Sequence, residues 1–190
     1  APLDMRMDPA QPLTAADILN SWTEPDLAEL FRKYGEERFS RRIARAVVAR
    51  RRLMAYSRTS ELVDTIKGAI PTPARFGAGN PARRVFQALR IEVNDELNSL
   101  RRALPAAFAL LAPDGILAVI SFHSLEDRIV KEFFAAQVRS CTCPPDFPVC
   151  VCGGQTKGEV LTHKAVTPGI RELEANPRSS SAKLRALRKL

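Results

Sequence analysis

Apolar residues recur every three or four positions through the first part of the chain, which is the spacing of amphipathic helices. The pattern runs from Leu13 to Ile70. Thr14 precedes Asp17 by three residues, and Thr23 precedes Asp26 in the same way. At that spacing a hydroxyl and a carboxylate cap the start of a helix. Ser60, three residues before Val63 and four before Asp64, is a looser start signal for a later helix. The pattern therefore predicts a compact helical subdomain.

A third helix is expected after Gly35, which stands where the second helix should stop. Phe39, Ile43 and Val47 fall on one face of this third helix. The arginines of the same segment are left on its opposite face. We expect a helical unit with one apolar and one basic side.

Prolines and glycines break the helical pattern in PTPARFGAGNP, residues 71–81, and indicate a linker. After Pro81 the apolar residues again recur every three or four positions, as far as Pro105. This predicts the longest amphipathic helix of the chain. The expected organisation is a helical part over residues 1–76 and a second part over residues 77–190.

The stretch GILAVISFHSLEDR reads as a buried strand over Ile116–Ser121, a polar turn, and a helix from about Leu125 to Val138. Helix, strand, polar loop and helix in this order are typical of an α/β sheet. In such sheets ligands bind beyond the carboxyl ends of the strands. His123 is therefore a candidate ligand contact, while Ser124 is expected to cap the helix together with Asp127.

Three further elements are expected near the end of the chain. KGEVLTHKAV resembles a strand, and TPGIRELEANP a short helix capped at Thr167. The last segment, SAKLRALRKL, suits either a strand or a helix.

The charge of the chain is strongly positive, with a net charge of +8 and a pI near 9.8. Such an excess indicates a polyanionic partner, and RNA or DNA is favoured over a membrane surface because the basic segment lacks a Trp/Phe-rich face. A solvated arginine-rich helix face is the alternative. No apolar run reaches the roughly 20 residues that span a bilayer, so we expect a cytoplasmic protein. The basic residues cluster in one segment: Arg32, Lys33, Arg38, Arg41, Arg42, Arg45, Arg50, Arg51, Arg52 and Arg58.

The four cysteines form two Cys-x-Cys pairs within a Cys-rich loop at residues 141–152. Four thiolates brought together by a Pro-rich turn suit tetrahedral zinc in a reducing compartment. The pairs are tighter than most zinc motifs, which leaves free thiols or a redox pair as alternatives. The predicted metal ligands are Cys141, Cys143, Cys150 and Cys152.

Two further polar patterns suggest binding sites. Asp4, Arg6 and Asp8 alternate in PLDMRMD, so an extended loop would point all three in one direction, and an ion-paired loop is the alternative. In the long helix, Arg84, Gln87, Arg90 and Asn94 form a polar stripe beside the apolar one. Asparagine is unfavourable inside a helix, so Asn94 needs a partner, with the protein itself favoured over ligand or RNA.

Five strings in collinear order carry a family resemblance: PLDMRMD, YGEERFSRRIARAVV, NPARRVFQALRIEVNDEL, LAVISFHSLEDRIVK and EANPRSSSAKLR. Together they closely resemble the bacterial 16S rRNA (cytosine-N4) methyltransferases of the MraW/RsmH family, over nearly the whole chain. The resemblance implies a class I S-adenosylmethionine-dependent methyltransferase, a Rossmann-like α/β sheet with an inserted all-helical substrate domain. It also implies that the cofactor-binding motifs lie upstream of residue 1, so that this chain alone would be inactive.

On this resemblance the substrate is a cytosine of 16S rRNA in the small ribosomal subunit, and the methyl donor is S-adenosylmethionine. His123, Ser121, Asp8 and Arg6 are expected to line the cytosine pocket. The sequence does not indicate an oligomeric state. The expected RNA contacts are Arg38, Arg41, Arg42, Arg45, Arg84, Arg90 and Asn94.

Two other functions are compatible with parts of the sequence. The first is a non-catalytic RNA-binding fragment with a zinc knuckle, which would keep the basic helices without a cofactor site. The second is a DNA-cytosine methyltransferase, which should carry a PPY-type motif on its cofactor side. That motif is absent from this chain, and on the resemblance the region expected to hold it lies upstream of residue 1.

Overall fold

A computed structural model describes residues 1–72, 81–139 and 154–190. It divides the chain into two compact units, the helical unit Ala1–Glu96 and the sheet unit Leu97–Leu190. The four cysteines and the linker after Thr72 fall outside the described residues, so the zinc prediction stays untested. Among the described helices, none has the length and apolar character needed to cross a bilayer.

The helical unit begins with the four helices that the apolar pattern predicted. They are α1 (Ala15–Ser21), α2 (Glu24–Lys33), α3 (Ser40–Arg51) and α4 (Thr59–Ala69). The caps predicted at Thr14 and Thr23 are confirmed, whereas the start at Ser60 is wrong, because α4 begins at Thr59 after the capping residue Arg58. The Thr14 hydroxyl accepts a hydrogen bond from the Asp17 N–H at 3.1 Å, and Thr23 accepts one from the Asp26 N–H at 3.3 Å.

Gly35 follows the end of α2 as expected, but the reason for a glycine there is space. A methyl group at this position would lie 2.7 Å from the carbonyl oxygens of both Phe31 and Arg84. Arg84 belongs to the next helix, α5 (Pro81–Val93), which packs against α2 and α4. A glycine therefore allows the backbones of α2 and α5 to approach closely.

The packing of α5 places it in the helical unit, which ends at Glu96. The linker had instead suggested a boundary at residues 76/77. Whether the helical unit is an insertion within a larger sheet domain stays a prediction. Its core encloses apolar side chains from all five helices and from the opening loop, among them Leu3, Leu19, Phe31, Ile43, Ile66 and Leu89.

The long helix predicted from Pro81 to Pro105 is wrong, because it is broken after Val93. The side-chain amide of Asn94 donates to the Arg90 carbonyl at 2.8 Å, which also accepts the backbone N–H of Asn94 at 3.1 Å. Asp95 then takes a left-handed conformation with φ of 48°, which ends the helical path.

The following helix, α6 (Glu96–Leu110), runs through Pro105 rather than stopping there. Proline lacks the N–H that would bond to the preceding turn, so the helix loses one hydrogen bond at this point. Leu104 and Phe108 are buried on either side of it. Packing of these side chains therefore outweighs the local preference for a helix end.

The sheet unit continues with β1 (Ile116–Ser121), α7 (Ser124–Val138), β2 (Gly158–Val160), α8 (Ile170–Ala175), a 3-10 helix (Pro177–Ser181) and β3 (Lys183–Lys189). The last segment is thus a strand. It lies in the middle of a three-stranded sheet of order β1-β3-β2, with both pairings antiparallel. The cap expected at Thr167 is wrong, because α8 begins after Gly169 without a side-chain cap.

The prediction that β1 is a buried strand is wrong for one of its two faces. Ile116 and Ile120 are 53% and 59% exposed, and they share a face because side chains alternate along a strand. Helix α7 packs on the sheet and Leu187 of β3 is fully buried. The register pairs Leu187 with Leu117, so the two side chains lie on the opposite, covered face.

Candidate functional site

The turn that joins β1 to α7 holds His123 in place through the backbone. His123 is the residue that caps α7, and its Nδ1 accepts a hydrogen bond from the Glu126 N–H at 3.3 Å. The Glu126 carboxylate accepts in return from the N–H groups of Phe122, at 2.8 Å, and His123, at 3.2 Å. The predicted cap at Ser124 is wrong, since Ser124 is already the first residue of the helix.

The imidazole of His123 is almost enclosed, with 10% of its side chain exposed. Because Nδ1 accepts a hydrogen bond, the proton of the neutral ring belongs on Nε2. Nε2 is buried and faces Oε1 of Glu126 at 3.3 Å. The Glu126 carboxylate therefore fixes the orientation of the ring.

Glu126 carries a negative charge at neutral pH. Burial raises its pKa, but hydrogen bonds from His123 and from the Phe122 N–H outweigh burial, and the net pKa is lowered. The spacing of three residues between His123 and Glu126 was the sequence signal for this pair. The pair was not predicted, because the cap was expected at Ser124 with Asp127.

Asp127 has a different partner, Arg185 in the middle of β3. Nε and Nη2 of Arg185 donate to the two carboxylate oxygens at 2.7 and 3.1 Å. This bidentate ion pair lowers the pKa of Asp127, chiefly through the hydrogen bonds from Arg185. The two residues are 58 positions apart, so periodicity gave no signal for the pair.

Ser121, at the end of β1, is 4% exposed. Its hydroxyl donates a long hydrogen bond of 3.4 Å to the carbonyl of Lys183, its register partner on β3. In this arrangement the side chain ties two strands together.

The opening loop is ion-paired rather than extended. Arg6 donates from Nε and Nη2 to Asp4 at 2.7 and 2.9 Å, and from Nη1 to the carbonyls of Pro9 and Gln11 at 2.8 and 2.7 Å. Met5 has a φ of 67°, so the expected alternation of side chains in this loop is wrong. The guanidinium of Arg6 lowers the pKa of Asp4 to about 2.

Asp8, unlike Arg6, has polar atoms that can still form hydrogen bonds with a ligand. It is exposed, and Oδ1 accepts one hydrogen bond from the Ala10 N–H at 2.9 Å. A carboxylate accepts up to about four hydrogen bonds, so Asp8 can receive donors from a ligand.

Asn94 ties the opening loop to the end of α5. Its amide nitrogen donates to the Met5 carbonyl at 2.9 Å, and its oxygen accepts from the Met7 N–H at 2.7 Å. The partner predicted for Asn94 is therefore the protein itself. Arg90 is similarly engaged, in a bidentate pair with Glu96 at 2.8 and 2.9 Å.

The arginines around α3 remain available to a polyanion. Arg38, Arg41, Arg42 and Arg45 are all exposed. Arg38 stacks on the ring of Phe39, and Arg45 lies 3.5 Å from Glu24 in an open pair. Exposed pairs of this kind contribute little to stability. Neither Arg41 nor Arg42 forms an ion pair with the described acids.

Arg84, on α5, is only loosely paired. It lies 3.8 Å from Glu37 and is half-exposed.

The predicted residues thus fall into two local groups. Asp8, Arg6 and the RNA-contact residues belong to the helical unit, while Ser121 and His123 belong to the sheet unit. A cavity of about 740 Å³ in the sheet unit is lined in part by Lys131, Arg139, Glu159 and Arg185.

Comparison with known proteins places these observations in a family. The family model of the MraW methylase family matches residues 1–190. The chain is 58% identical over 190 residues to "Ribosomal RNA small subunit methyltransferase H" of Heliobacterium modesticaldum, covering 100% of this chain and 61% of that protein. Proteins of the same name match from Symbiobacterium thermophilum, at 56% over 190 residues, and Treponema denticola, at 53% over 189. Both alignments cover 100% of this chain and 60% of the relative.

The chain therefore spans about three fifths of the length of the curated relatives that it matches. The alignment over its whole length joins the basic helical unit and the strand-end histidine in one family pattern. The chain belongs to the MraW methylase family.

Proposed function

We propose that the protein to which this chain belongs methylates the exocyclic N4 of a cytosine in the decoding region of 16S rRNA, with S-adenosylmethionine as methyl donor. The observation that carries the proposal is the match to the MraW methylase family over all 190 residues, with relatives named as small-subunit rRNA methyltransferases. The exposed basic face of α3 agrees with an RNA substrate.

The chemical difficulty lies in the nucleophile. The lone pair of a cytosine N4 is delocalised into the ring, so the base must leave its stack and be held in line with the methyl group. S-adenosylmethionine supplies an electrophilic methyl group when bound. We assign the binding of S-adenosylmethionine to parts of the longer relatives that this chain does not span. The residues of this chain would hold the RNA.

Asp8 and His123 are the proposed contacts to the cytosine. Asp8 keeps carboxylate lone pairs that can accept an N4–H, and His123 stands at the strand end with its ring oriented by Glu126. Arg6 and Ser121 become positioning residues, since their polar groups are engaged within the protein. Arg38, Arg41, Arg42 and Arg45 hold phosphates, with Arg84 in a secondary contact. The hydrogen bonds of Arg90 and Asn94 assign them to support of the opening loop.

The reaction is tested in a chimera in which this chain replaces the matching segment of the Heliobacterium modesticaldum relative. Labelled methyl transfer to small ribosomal subunits is measured, and the product nucleoside is identified by mass spectrometry. We expect N4-methylcytidine, and a loss of roughly a hundredfold in kcat for His123→Ala and for Asp8→Ala. His163→Ala and Asp64→Ala, both exposed, serve as matched controls. Unchanged rates in the His123 and Asp8 variants would refute their assignment.

The non-catalytic alternative is separated by titration of the 190-residue chain alone. A saturable heat signal on titration with S-adenosylmethionine, with a Kd in the micromolar range, would show that the chain keeps a cofactor site. Retained binding of deproteinised small-subunit rRNA without binding of S-adenosylmethionine, together with no methylation in the chimera, would favour an RNA-binding fragment. We expect the isolated chain to bind the RNA but not S-adenosylmethionine, and the chimera to methylate the RNA.

A further inference from the structure

Two large apolar side chains project from the turn between α3 and α4. Leu53 is 90% exposed and Met54 is 65% exposed. Single exposed apolar residues are common on protein surfaces, so exposure alone carries little meaning. Here the two residues are adjacent and occupy the end of a turn, and we call them the Leu53–Met54 tip.

The turn that carries the tip is fixed by several contacts. The N–H groups of Leu53 and Met54 both donate to the Arg50 carbonyl, at 2.9 and 3.1 Å. The guanidinium of Arg50 donates back to the Met54 carbonyl at 2.8 Å and stacks 4.3 Å from the centre of the Tyr56 ring. A tip that is ordered in advance loses less conformational entropy when it inserts into a partner.

The surroundings of the tip are positively charged. Arg41, Arg45 and Arg52 are four and seven residues apart, which places them on one stripe along α3 that leads to the tip. The stripe is about 17 Å long at 1.5 Å per residue. Arg52 is exposed and forms no ion pair within the part of the chain that the structure describes. This charge favours a nucleic acid over a protein as the partner of the tip.

The tip also lies close in the chain to the opening loop. The Ser57 carbonyl accepts a hydrogen bond from the Leu3 N–H at 2.9 Å, and Pro2 pairs with Arg58 in an isolated bridge. Met54 is three residues from Ser57, which limits their Cα separation to about 11 Å. An apolar tip is thus held beside the loop that carries Asp8, the proposed contact to the cytosine.

We propose that the Leu53–Met54 tip is a wedge that inserts between bases of the RNA and holds the strand unstacked while the stripe of arginines grips its phosphates. Apolar side chains such as Leu and Met act in this way in proteins that kink nucleic acids. Enzymes that modify a base need it out of the stack, and a wedge lowers the cost of keeping it there. This inference rests on the proposed function, because it takes RNA as the substrate.

The test uses the 190-residue chain and deproteinised small-subunit rRNA, probed with dimethyl sulfate. Dimethyl sulfate reacts with adenine N1 and cytosine N3 when these atoms are unpaired, so a base that the wedge forces out of its pair becomes more reactive. We expect the unmodified chain to protect a stretch of RNA and to raise the reactivity of one or a few nucleotides within it. The double variant Leu53→Ser/Met54→Ser should keep the protection and lose the raised reactivity. Its Kd should rise by roughly tenfold, the effect of one lost base contact.

Two control variants separate the wedge from simple loss of apolar surface or charge. Leu110→Ser changes a leucine in the sheet unit that is 88% exposed, and it should leave both protection and raised reactivity unchanged. Arg41→Gln/Arg45→Gln should weaken binding and reduce its salt dependence, while the raised reactivity persists at saturating protein.

The possible failures can be told apart. Raised reactivity that persists in the Leu53→Ser/Met54→Ser variant would overturn the wedge and leave the proposed function intact. Loss of binding to intact subunits, with unchanged binding and reactivity on bare RNA, would overturn it as well and assign the tip to a ribosomal protein. Absence of any protection by the unmodified chain would overturn the wedge and RNA binding together.

Discussion

The two units of this chain differ in how their apolar surface is covered. In the helical unit the core side chains Phe31, Ile43 and Leu89 are 0% exposed, with helices packed around them. In the sheet unit one face of β1 carries Ile116 and Ile120, each more than half exposed. Both units contain regular elements with good local signals. The difference shows that an apolar pattern predicts a helix or strand. Whether the apolar side chains of that element are buried depends on the segments that pack against it.

The largest expected effect comes from a matched pair of isoleucines. Ile43→Ala removes a fully buried side chain and should lower the free energy of unfolding of the helical unit by about 2–5 kcal/mol. Ile120→Ala removes one that is 59% exposed, and it should change the stability of the sheet unit by less than about 0.5 kcal/mol. Urea unfolding followed by the fluorescence of Trp22, the single tryptophan, measures the effect of Ile43→Ala. Hydrogen exchange of the β1 amides measures the effect of Ile120→Ala.

Equal losses of stability in Ile43→Ala and Ile120→Ala would contradict this difference between the two units. A large cost for Ile120→Ala in the isolated chain would mean that the outer face of β1 is covered in solution, for example by a second copy. Sedimentation of both variants beside the unmodified chain checks for that copy. A small cost for Ile43→Ala would mean that the helical core relaxes around the cavity.

The sequence predicted those parts of the fold that depend on neighbours along the chain. The caps at Thr14 and Thr23 were found because a hydroxyl and an acid three residues apart are enough to form them. The break after Val93 depends on Asn94, whose partners Met5 and Met7 lie far away in sequence. The central place of β3 likewise depends on pairings that periodicity does not contain.

The same limit applies to the candidate site. The sequence singled out the strand-end turn with His123, but missed that Glu126 holds the ring and that His123 itself caps α7. It recognised an ion-paired opening loop only as an alternative, because the pairing of Arg6 with Asp4 depends on the positive φ of Met5 between them. Side-chain roles at a site follow from which hydrogen bonds are already made, and composition does not show this.

The second prediction concerns the ion pair that fastens α7 to β3. Asp127→Asn leaves the Arg185 guanidinium with 13% exposure and no carboxylate, and should destabilise the sheet unit by about 2–3 kcal/mol. The pKa of Asp127 lies below its ordinary 3.8 because Arg185 donates to it. Its stabilising contribution is therefore complete above pH 3.8 and is lost as pH falls through the lowered pKa. Hydrogen exchange of β3 at pH 7 and in acid should show this loss in the unmodified chain and little of it in Asp127→Asn.

A third prediction uses two glycines of the helical unit. Gly35→Ala would place a methyl group 2.7 Å from two carbonyl oxygens, and should cost about 1–3 kcal/mol as α2 and α5 move apart. Gly68→Ala, in α4, meets nothing within 4 Å and should stabilise the unit by about 0.5–1 kcal/mol. Urea unfolding followed by Trp22 measures both. Effects of the same sign would show that the approach of α2 and α5 does not set the stability of the helical unit.

The smallest effect is expected in the opening loop, at the edge of the helical unit. The pKa of Asp4 should be about 2, because Arg6 donates to both of its carboxylate oxygens. Arg6→Gln should return this pKa toward 3.8, as an NMR titration of the Asp4 side chain would show. A lowered pKa stabilises the paired loop above pH 3.8, and that stabilisation disappears between 3.8 and about 2. Because the pair is open to solvent, the buried core should unfold at nearly the same urea concentration in both proteins. A large loss of core stability in Arg6→Gln would instead show that the Asp4–Arg6 pair, and not only the buried Leu3, fastens the opening loop to the core.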